Sequence, residues 1–217
     1  MHRYFVTGSD TDAGKTRVAA ALALALRRAG HAPTVVKLVQ TGAVLDAESD
    51  AARAGRLAGV PYVEFARFKK PSDPWSAAHA ERIELSAHEL VAKLDALGGC
   101  VVVEGTGGMM VPLNEREHLG DVVALGKLQT IVAVGLRLGC INHTLLTLNL
   151  CRELRVPVAG AVLVERWGPA DPSYRDDVAR VLQGKLRIFG ILAFAPAEEA
   201  SVDAGAKLFE PLVNQKP

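Results

Sequence analysis

A lysine and a hydroxyl stand side by side at the end of a glycine-bounded loop: Gly8-Ser9-Asp10-Thr11-Asp12-Ala13-Gly14-Lys15-Thr16. An apolar run precedes this loop and an Ala/Leu-rich stretch follows it. Between a strand and a helix, such a loop turns its amides and the helix N-terminus onto an anion. There Lys15 neutralises the β- and γ-phosphates of a nucleotide, and the Thr16 hydroxyl meets a divalent cation. Five residues separate Gly8 from Gly14, one more than the usual four. Gly-Lys-Thr also arises by chance at strand–helix junctions, so the strand and helix on either side are what favour phosphate binding.

A cation beside phosphates needs carboxylates. Glu104 closes the apolar run Cys100-Val101-Val102-Val103. It falls where the carboxyl ends of parallel strands form a binding crevice, and a carboxylate there is costly unless it faces a cation or solvent. Asp50, in Glu48-Ser49-Asp50, is a second candidate that could equally be a first-turn helix acid. Mg²⁺ on phosphates takes only one or two carboxylates, so Thr16, Asp50 and Glu104 suffice. Lys37 interrupts the strand-like Thr34-Val35-Val36-Lys37-Leu38-Val39. Either it snorkels from a strand edge or it clamps a transferring phosphoryl group or a carboxylate. Gln40, Thr41 and Gly42 follow it, where they could border a substrate. Leu138-Gly139-Cys140-Ile141-Asn142-His143 closes another strand; its amides could receive a carboxylate, or Asn142 could simply cap the helix. Cys140 has no local base and reads as a small packed residue, and His143 reads as structural.

These residues need a scaffold that gathers strand ends. Apolar, β-branched runs at 3–7, 34–39, 100–104, 130–135, 158–164 and 187–192 alternate with helical stretches at 15–29, 46–58, 86–97, 118–128, 142–154, 172–183 and 203–213. Several runs are apolar at successive positions, as in strands covered on both faces. The alternation predicts an α/β fold: one doubly wound, mainly parallel sheet flanked by helices, a single domain over 1–217. Ser86 with Glu89 predicts a capping box. The polar, proline-punctuated stretch 62–84, around Trp75, breaks the rhythm and reads as a long surface loop.

Composition narrows the functions. Lys and Arg number 25 against 24 Asp and Glu, which leaves no electrostatic footprint for nucleic acid or an anionic membrane. The longest apolar stretch, 18–26, has nine residues, far from the roughly 20 of a membrane helix. The N-terminal residues show no signal-peptide core, and three cysteines form neither a paired framework nor a C-x-x-C site. The expected location is the cytoplasm.

The motifs, taken in order, resemble the dethiobiotin synthetase family over most of the chain. The resemblance is carried by residues 4–16, Lys37, Ser49-Asp50, Val103-Glu104-Gly105-Thr106-Gly107-Gly108 with Pro112-Leu113, and Leu138-Gly139-Cys140-Ile141-Asn142-His143-Thr144-Leu145-Leu146-Thr147. It implies an ATP- and Mg²⁺-dependent ligase of biotin biosynthesis that carboxylates 7,8-diaminononanoate with CO₂ and closes the ureido ring. It also implies that Lys15 and Lys37, with Thr11 nearby, hold the carbamate and γ-phosphate, and that Thr16, Asp50 and Glu104 bind Mg²⁺. Nucleotide contacts would come from Asp12, Ala13, Gly14, Lys15, Thr16, Arg17, Asp50, Glu104, Gly105, Thr106 and Gly107. Its base would lie near Val164, Glu165, Ala193, Phe194 and Ala195. Thr41 would contact the substrate, whose carboxylate would meet Gly139, Cys140, Ile141 and Asn142 of the partner subunit in a homodimer.

Three departures accompany the resemblance. Asp73-Pro74-Trp75 replaces Ser-Pro-His beside the substrate, Val164 or Glu165 replaces the asparagine that holds adenine, and Ala193 replaces a proline. Val164 has no polar atom to offer a base and an ionised Glu165 can only accept, so base selectivity is expected to be weak. Two other classes compete. A corrinoid-type amidotransferase synthetase needs a glutaminase for which 217 residues leave no room. A partitioning-type ATP switch expects an extra lysine early in the phosphate loop, where Gly8-Ser9-Asp10 has none.

Overall fold

The computed structural model describes residues 2–43 and 47–214. Seven parallel strands form one sheet in the order β3-β2-β4-β1-β5-β6-β7. They are β1 (Arg3–Gly8), β2 (Pro33–Lys37), β3 (Tyr62–Glu64), β4 (Cys100–Glu104), β5 (Gln129–Gly135), β6 (Val158–Val164) and β7 (Ile188–Leu192). The helices are α1 (Lys15–Arg28), α2 (Asp50–Ala58), α3 (Pro74–Ala80), α4 (Ala87–Leu97), α5 (Leu119–Leu125), α6 (Cys140–Glu153), α7 (Pro172–Leu182) and α8 (Glu198–Val213).

The successive apolar positions of the strands are explained by a core on each side of the sheet. Val6, Val35 and Val102 face a layer containing the buried alanines and leucines of α1, with Ala51 and Ala54 of α2 and Phe209 of α8. Phe5, Val36, Val101 and Val103 face the other way, against Leu90 and Leu94 of α4 and Val122 and Val123 of α5. A third cluster joins β5 and β6 to Cys140 of α6 and to Val178 and Leu182 of α7. Alternate residues of one strand thus enter opposite cores, the period-two geometry of a sheet buried on both faces.

Strand register lines up the polar ends. Lys37 of β2 is paired with Glu104 of β4, and Glu104 with Val6 of β1. β4 and β5 flank β1, so the chain leaves β1 toward one side of the sheet and returns across it to the other. That reversal at β1 is a switch point, where open α/β sheets bind ligands.

The main departure from the expected layout lies within 62–84, which is not a plain loop. Tyr62–Glu64 pairs with Val35–Lys37 as an edge strand, and Pro74–Ala80 forms a helix. Asp73 is the N-cap of α3, its carboxylate accepting from the Ser76 amide at 2.9 Å, with Pro74 in the first turn. Ser86 does precede α4, but its side chain makes no cap bond; the carboxylate of Glu117 accepts from the Ala87 amide instead, at 3.0 Å. α6 starts at Cys140 with Gly139 as N-cap at φ 95°, which makes Asn142 a first-turn residue and not the cap. α8 begins at Glu198, five residues before the expected start. α2 begins at Asp50, capped by Ser49, whose hydroxyl accepts from the Ala52 amide at 3.2 Å. The expected start of that helix, Asp46, lies outside the described residues.

Candidate active site

A cleft of about 260 Å³ opens at the carboxyl ends of β1, β2 and β4. Thr11, Asp12, Gly14, Lys15, Thr16 and Arg17 line one side, and Lys37, Thr41, Asp50, Glu104, Thr106 and Gly107 another. Twelve residues singled out from the sequence therefore meet in one cavity. Gln40, Arg53, Arg166 and Glu198 also line it. Sequence reasoning gives Gln40 only a general place near a substrate, and misses the other three because a charged residue on a helix or in a loop reads as solvated surface.

The loop that opens the cleft is shaped by its backbone. Asp12 has φ 58° and Gly14 φ 90°, the left-handed region that a side chain makes costly. A Cβ on Gly14 would also stand 2.6 Å from Cγ1 of Val164. Ala13 is buried beneath the loop, where its Cα lies 3.0 Å from the Cβ position of Gly135. The loop is tied to the sheet as well, since the Ser9 amide donates to the Ala133 carbonyl at 2.8 Å.

The charged centre is compact. Lys37 Nζ donates to Asp50 Oδ2 at 2.7 Å, to Glu104 Oε1 at 2.9 Å and to the Gly105 carbonyl at 3.3 Å. Thr16 Oγ1 donates to the same Glu104 oxygen at 3.0 Å. Burial by itself lowers the Lys37 ammonium, but the charges and hydrogen bonds of Glu104 and Asp50 outweigh it and hold its pKa above the ordinary value. Lys15 Nζ is buried and donates to the Asp10 carbonyl at 3.3 Å. Its pKa is pushed below the ordinary value by that burial, with the like charge of Lys37 adding to it and the nearby carboxylates opposing. Lys37 is thus neither a strand-edge lysine nor free: it is a fixed cation.

The donor set can be tested against Mg²⁺. Glu104 Oε2 is buried and has no hydrogen-bond partner, and an orphaned buried carboxylate oxygen is costly unless something else meets it. Among the described residues no group of three or more His, Cys, Asp or Glu side chains could hold a metal by itself. Two carboxylates and the Thr16 hydroxyl are nevertheless all hard oxygen donors, enough for a Mg²⁺ that also takes phosphate oxygens. The residues fit that ion.

The ends of β6 and β7, where the sequence places the base, are built differently. Val164 is fully buried under Gly14. Glu165 is also buried, and its two carboxylate oxygens accept from the Ala170 and Phe194 amides at 3.3 and 3.1 Å. Ala193, Phe194 and Ala195 lie just past β7 and do not line the cleft. Arg17 turns its guanidinium to the Glu165 carbonyl at 3.1 Å and the Ser201 hydroxyl at 3.5 Å.

Gly139, Cys140, Ile141 and Asn142 stand outside the cleft of their own chain. Cys140 is buried with its Sγ 3.4 Å from the Tyr174 hydroxyl, a packed residue as expected. Asn142 is exposed. His143 does have a polar neighbour: its Nδ1 lies 3.6 Å from Asp10 Oδ2, on a carboxylate that also pairs with Arg137.

A strand, a phosphate-type loop, a helix and a strand-end carboxylate, gathered at the switch point of a parallel sheet, define a P-loop nucleotide-binding protein. Solved structures support the fold. The cell division ATPase MinD of Pyrococcus furiosus superposes with a TM-score of 0.61 at 16% identity, covering 98% of this chain and 97% of that one. A ParA family ATPase from Chlorobium tepidum gives 0.57 at 13% identity, covering 99% and 93%. At that identity they speak for fold alone.

Relatives in sequence are more specific. A family model described as an AAA domain matches residues 2–201. The ATP-dependent dethiobiotin synthetase BioD of Anaeromyxobacter dehalogenans is 40% identical over 182 residues, 79% of each chain. That of Mycobacterium bovis is 40% identical over 211 residues, 92% of this chain and 89% of the relative. The chain belongs to the ATP-dependent dethiobiotin synthetase family and is an ATP-dependent ligase. Among the described residues no helix is long and apolar enough to cross a membrane.

Proposed function

We propose that the chain carboxylates 7,8-diaminononanoate with CO₂ and closes the ureido ring of dethiobiotin, at the expense of ATP and with Mg²⁺. The observation that carries this reading is the pair of buried lysines that meet in one cleft, Lys15 at the end of the phosphate loop and Lys37 at the end of β2. In the reaction one amine of the diamine attacks CO₂ and loses a proton, giving a carbamate. A carbamate oxygen then attacks the γ-phosphorus, ADP leaves, and a carbamic-phosphoric anhydride forms. The second amine attacks its carbonyl carbon, inorganic phosphate departs with that oxygen, and the amine proton is lost.

No protein nucleophile is required. Positioning and charge stabilisation carry the reaction, as they do in phosphoryl transfer generally. Lys37, kept charged by Asp50 and Glu104, serves as a fixed donor to carbamate oxygens and not as a base. Lys15 and the loop amides hold the phosphates, with Thr11 at the mouth of the cleft and Thr41 beside the diamine. Thr16, Asp50 and Glu104 would hold Mg²⁺, which when bound supplies charge neutralisation between the phosphates.

The homodimer belongs to the same reading. Leu138 is 92% exposed, and Met110 and Leu146 are 62% and 58% exposed. Met110 and Leu146 border a groove of about 340 Å³ beside Gly8–Asp10. A second copy seated there would cover apolar surface and bring Gly139–Asn142 of the partner subunit to a neighbouring cleft. Sedimentation at assay concentration is expected to show a dimer; a monomer turning over at full rate contradicts the shared site.

The function is tested by ADP release. It is expected only when the diamine and bicarbonate are both present. Dependence on ammonia or glutamine would favour an amidotransferase synthetase, and dependence on a macromolecular partner would favour an ATP switch.

A further inference from the structure

Glu165 is a buried carboxylate that has no role in the ring-closing reaction. Its oxygens reach two segments far apart in sequence: Oε1 accepts from the Ala170 amide at 3.3 Å and Oε2 from the Phe194 amide at 3.1 Å. Its own main chain is bound on both sides, the amide to the Leu192 carbonyl at 3.0 Å and the carbonyl to Arg17 at 3.1 Å. Arg17 also donates to Ser201, whose hydroxyl donates to the Ala193 carbonyl at 3.3 Å. A closed circuit of hydrogen bonds therefore runs from the first turn of α1, through the ends of β6 and β7, into the first turn of α8 and back.

That circuit uses only the main chain of Glu165; the side chain adds a second link, from the Ala170 amide to the Phe194 amide, and only a carboxylate makes it. It accepts on both oxygens and brings no donor of its own, whereas an amide accepts on one atom and donates from the other. Hydrogen bonds to an ionised acceptor are also roughly twice as strong as neutral ones. The loop after β6 carries Arg166 and the loop after β7 leads into Glu198, and both of those side chains line the cleft.

We propose that Glu165 is a positioning residue that sets the spacing of the two loops flanking the base end of the nucleotide, without contacting the nucleotide itself. This rests on the reading of the cleft as the ATP site. Phe194, 43% exposed on the second loop, is the ring whose place this brace fixes, and its main-chain amide is already committed to Glu165.

Hydrogen exchange and ligand binding on Glu165→Ala and Glu165→Gln test the idea, with Mg²⁺–ATP and Mg²⁺–tripolyphosphate as probes. The alanine variant is expected to lose at least tenfold protection at both the Phe194 and Ala170 amides, and the glutamine variant at only one of them. ATP should bind about tenfold more weakly to the alanine variant, while tripolyphosphate, which has no base, binds as it does to the parent. The glutamine variant should recover part of the ATP affinity. Retained protection at both amides would overturn the proposal. So would equal weakening of both ligands, the mark of a general structural role, or unchanged ATP affinity in a variant whose amides are freed. A parent protein that binds neither ligand would instead refute the ATP site.

Discussion

Two neighbouring regions, the cleft at the phosphate loop and the ends of β6 and β7, handle polar groups in opposite ways. At the phosphate end, charges are buried and left facing a small space: Lys37, Glu104 and Lys15 are all under a tenth exposed, and one Glu104 oxygen has no protein partner. At the ends of β6 and β7, Val164 is apolar, and the carboxylate of Glu165 is spent on the protein's own amides. The first arrangement is expensive for folding and useful for chemistry, because fixed charges in a dry site need no reorganisation when charge develops. The second is a frame. In the proposed site the reacting groups are read by charge, and the base is held by shape.

The contrast is broken most sharply at Lys37. Lys37→Gln is expected to reduce turnover by about 10²–10³, as for loss of one preorganised donor. Because the ammonium compensates two carboxylates, the same change should lower stability by ~3–5 kcal/mol, the usual range for halving a buried pair. Turnover and denaturant midpoint measured on one preparation check both. A variant with full turnover would remove Lys37 from the chemistry.

Gly14 joins the two regions, since it carries the phosphate loop and packs on Val164. Gly14→Ala puts a side chain at φ 90° and 2.6 Å from Val164 Cγ1. Strain of this kind costs about 1–3 kcal/mol, and ATP affinity should fall by a comparable factor. Val164→Ala in the same chain should recover part of it by removing the clash but not the φ. Recovery to the parent value would show that the clash is the whole effect.

The smallest effect is expected at the base. CTP and GTP should support ring closure within about tenfold of ATP, a gap of ~1.4 kcal/mol, because neither Val164 nor Glu165 offers a free polar atom. kcat/KM for the three nucleotides decides this: an ATP preference near a thousandfold would mean that another group reads adenine.

What the sequence makes legible follows the same division. The phosphate loop is one contiguous segment whose residue types state their chemistry, and Glu104 is marked by four apolar neighbours before it. The contact of Lys37 with Asp50 and Glu104 joins residues 13 and 67 positions apart. It depends on β2 lying next to β4 in register, which no local pattern encodes. β3 has three residues at the sheet edge, too few for alternation to show. α3 does carry a signal, Asp73-Pro74 as N-cap and first-turn proline, but the prolines and charges around it read as loop and mask it. Glu165 stands out in the sequence only as a poor substitute for an adenine-binding asparagine. Its partners are main-chain amides of Ala170 and Phe194, whose positions come from two loops and not from side-chain type.

The most direct measurement is the fate of oxygen in labelled CO₂. With freshly prepared ¹⁸O-bicarbonate, the diamine and ATP, phosphorylation of a carbamate predicts one labelled oxygen in each inorganic phosphate released and label in the ureido carbonyl of the product. Unlabelled phosphate accompanying labelled dethiobiotin would contradict the anhydride, and with it the account of Lys15 and Lys37 as clamps on a phosphoryl group in transfer.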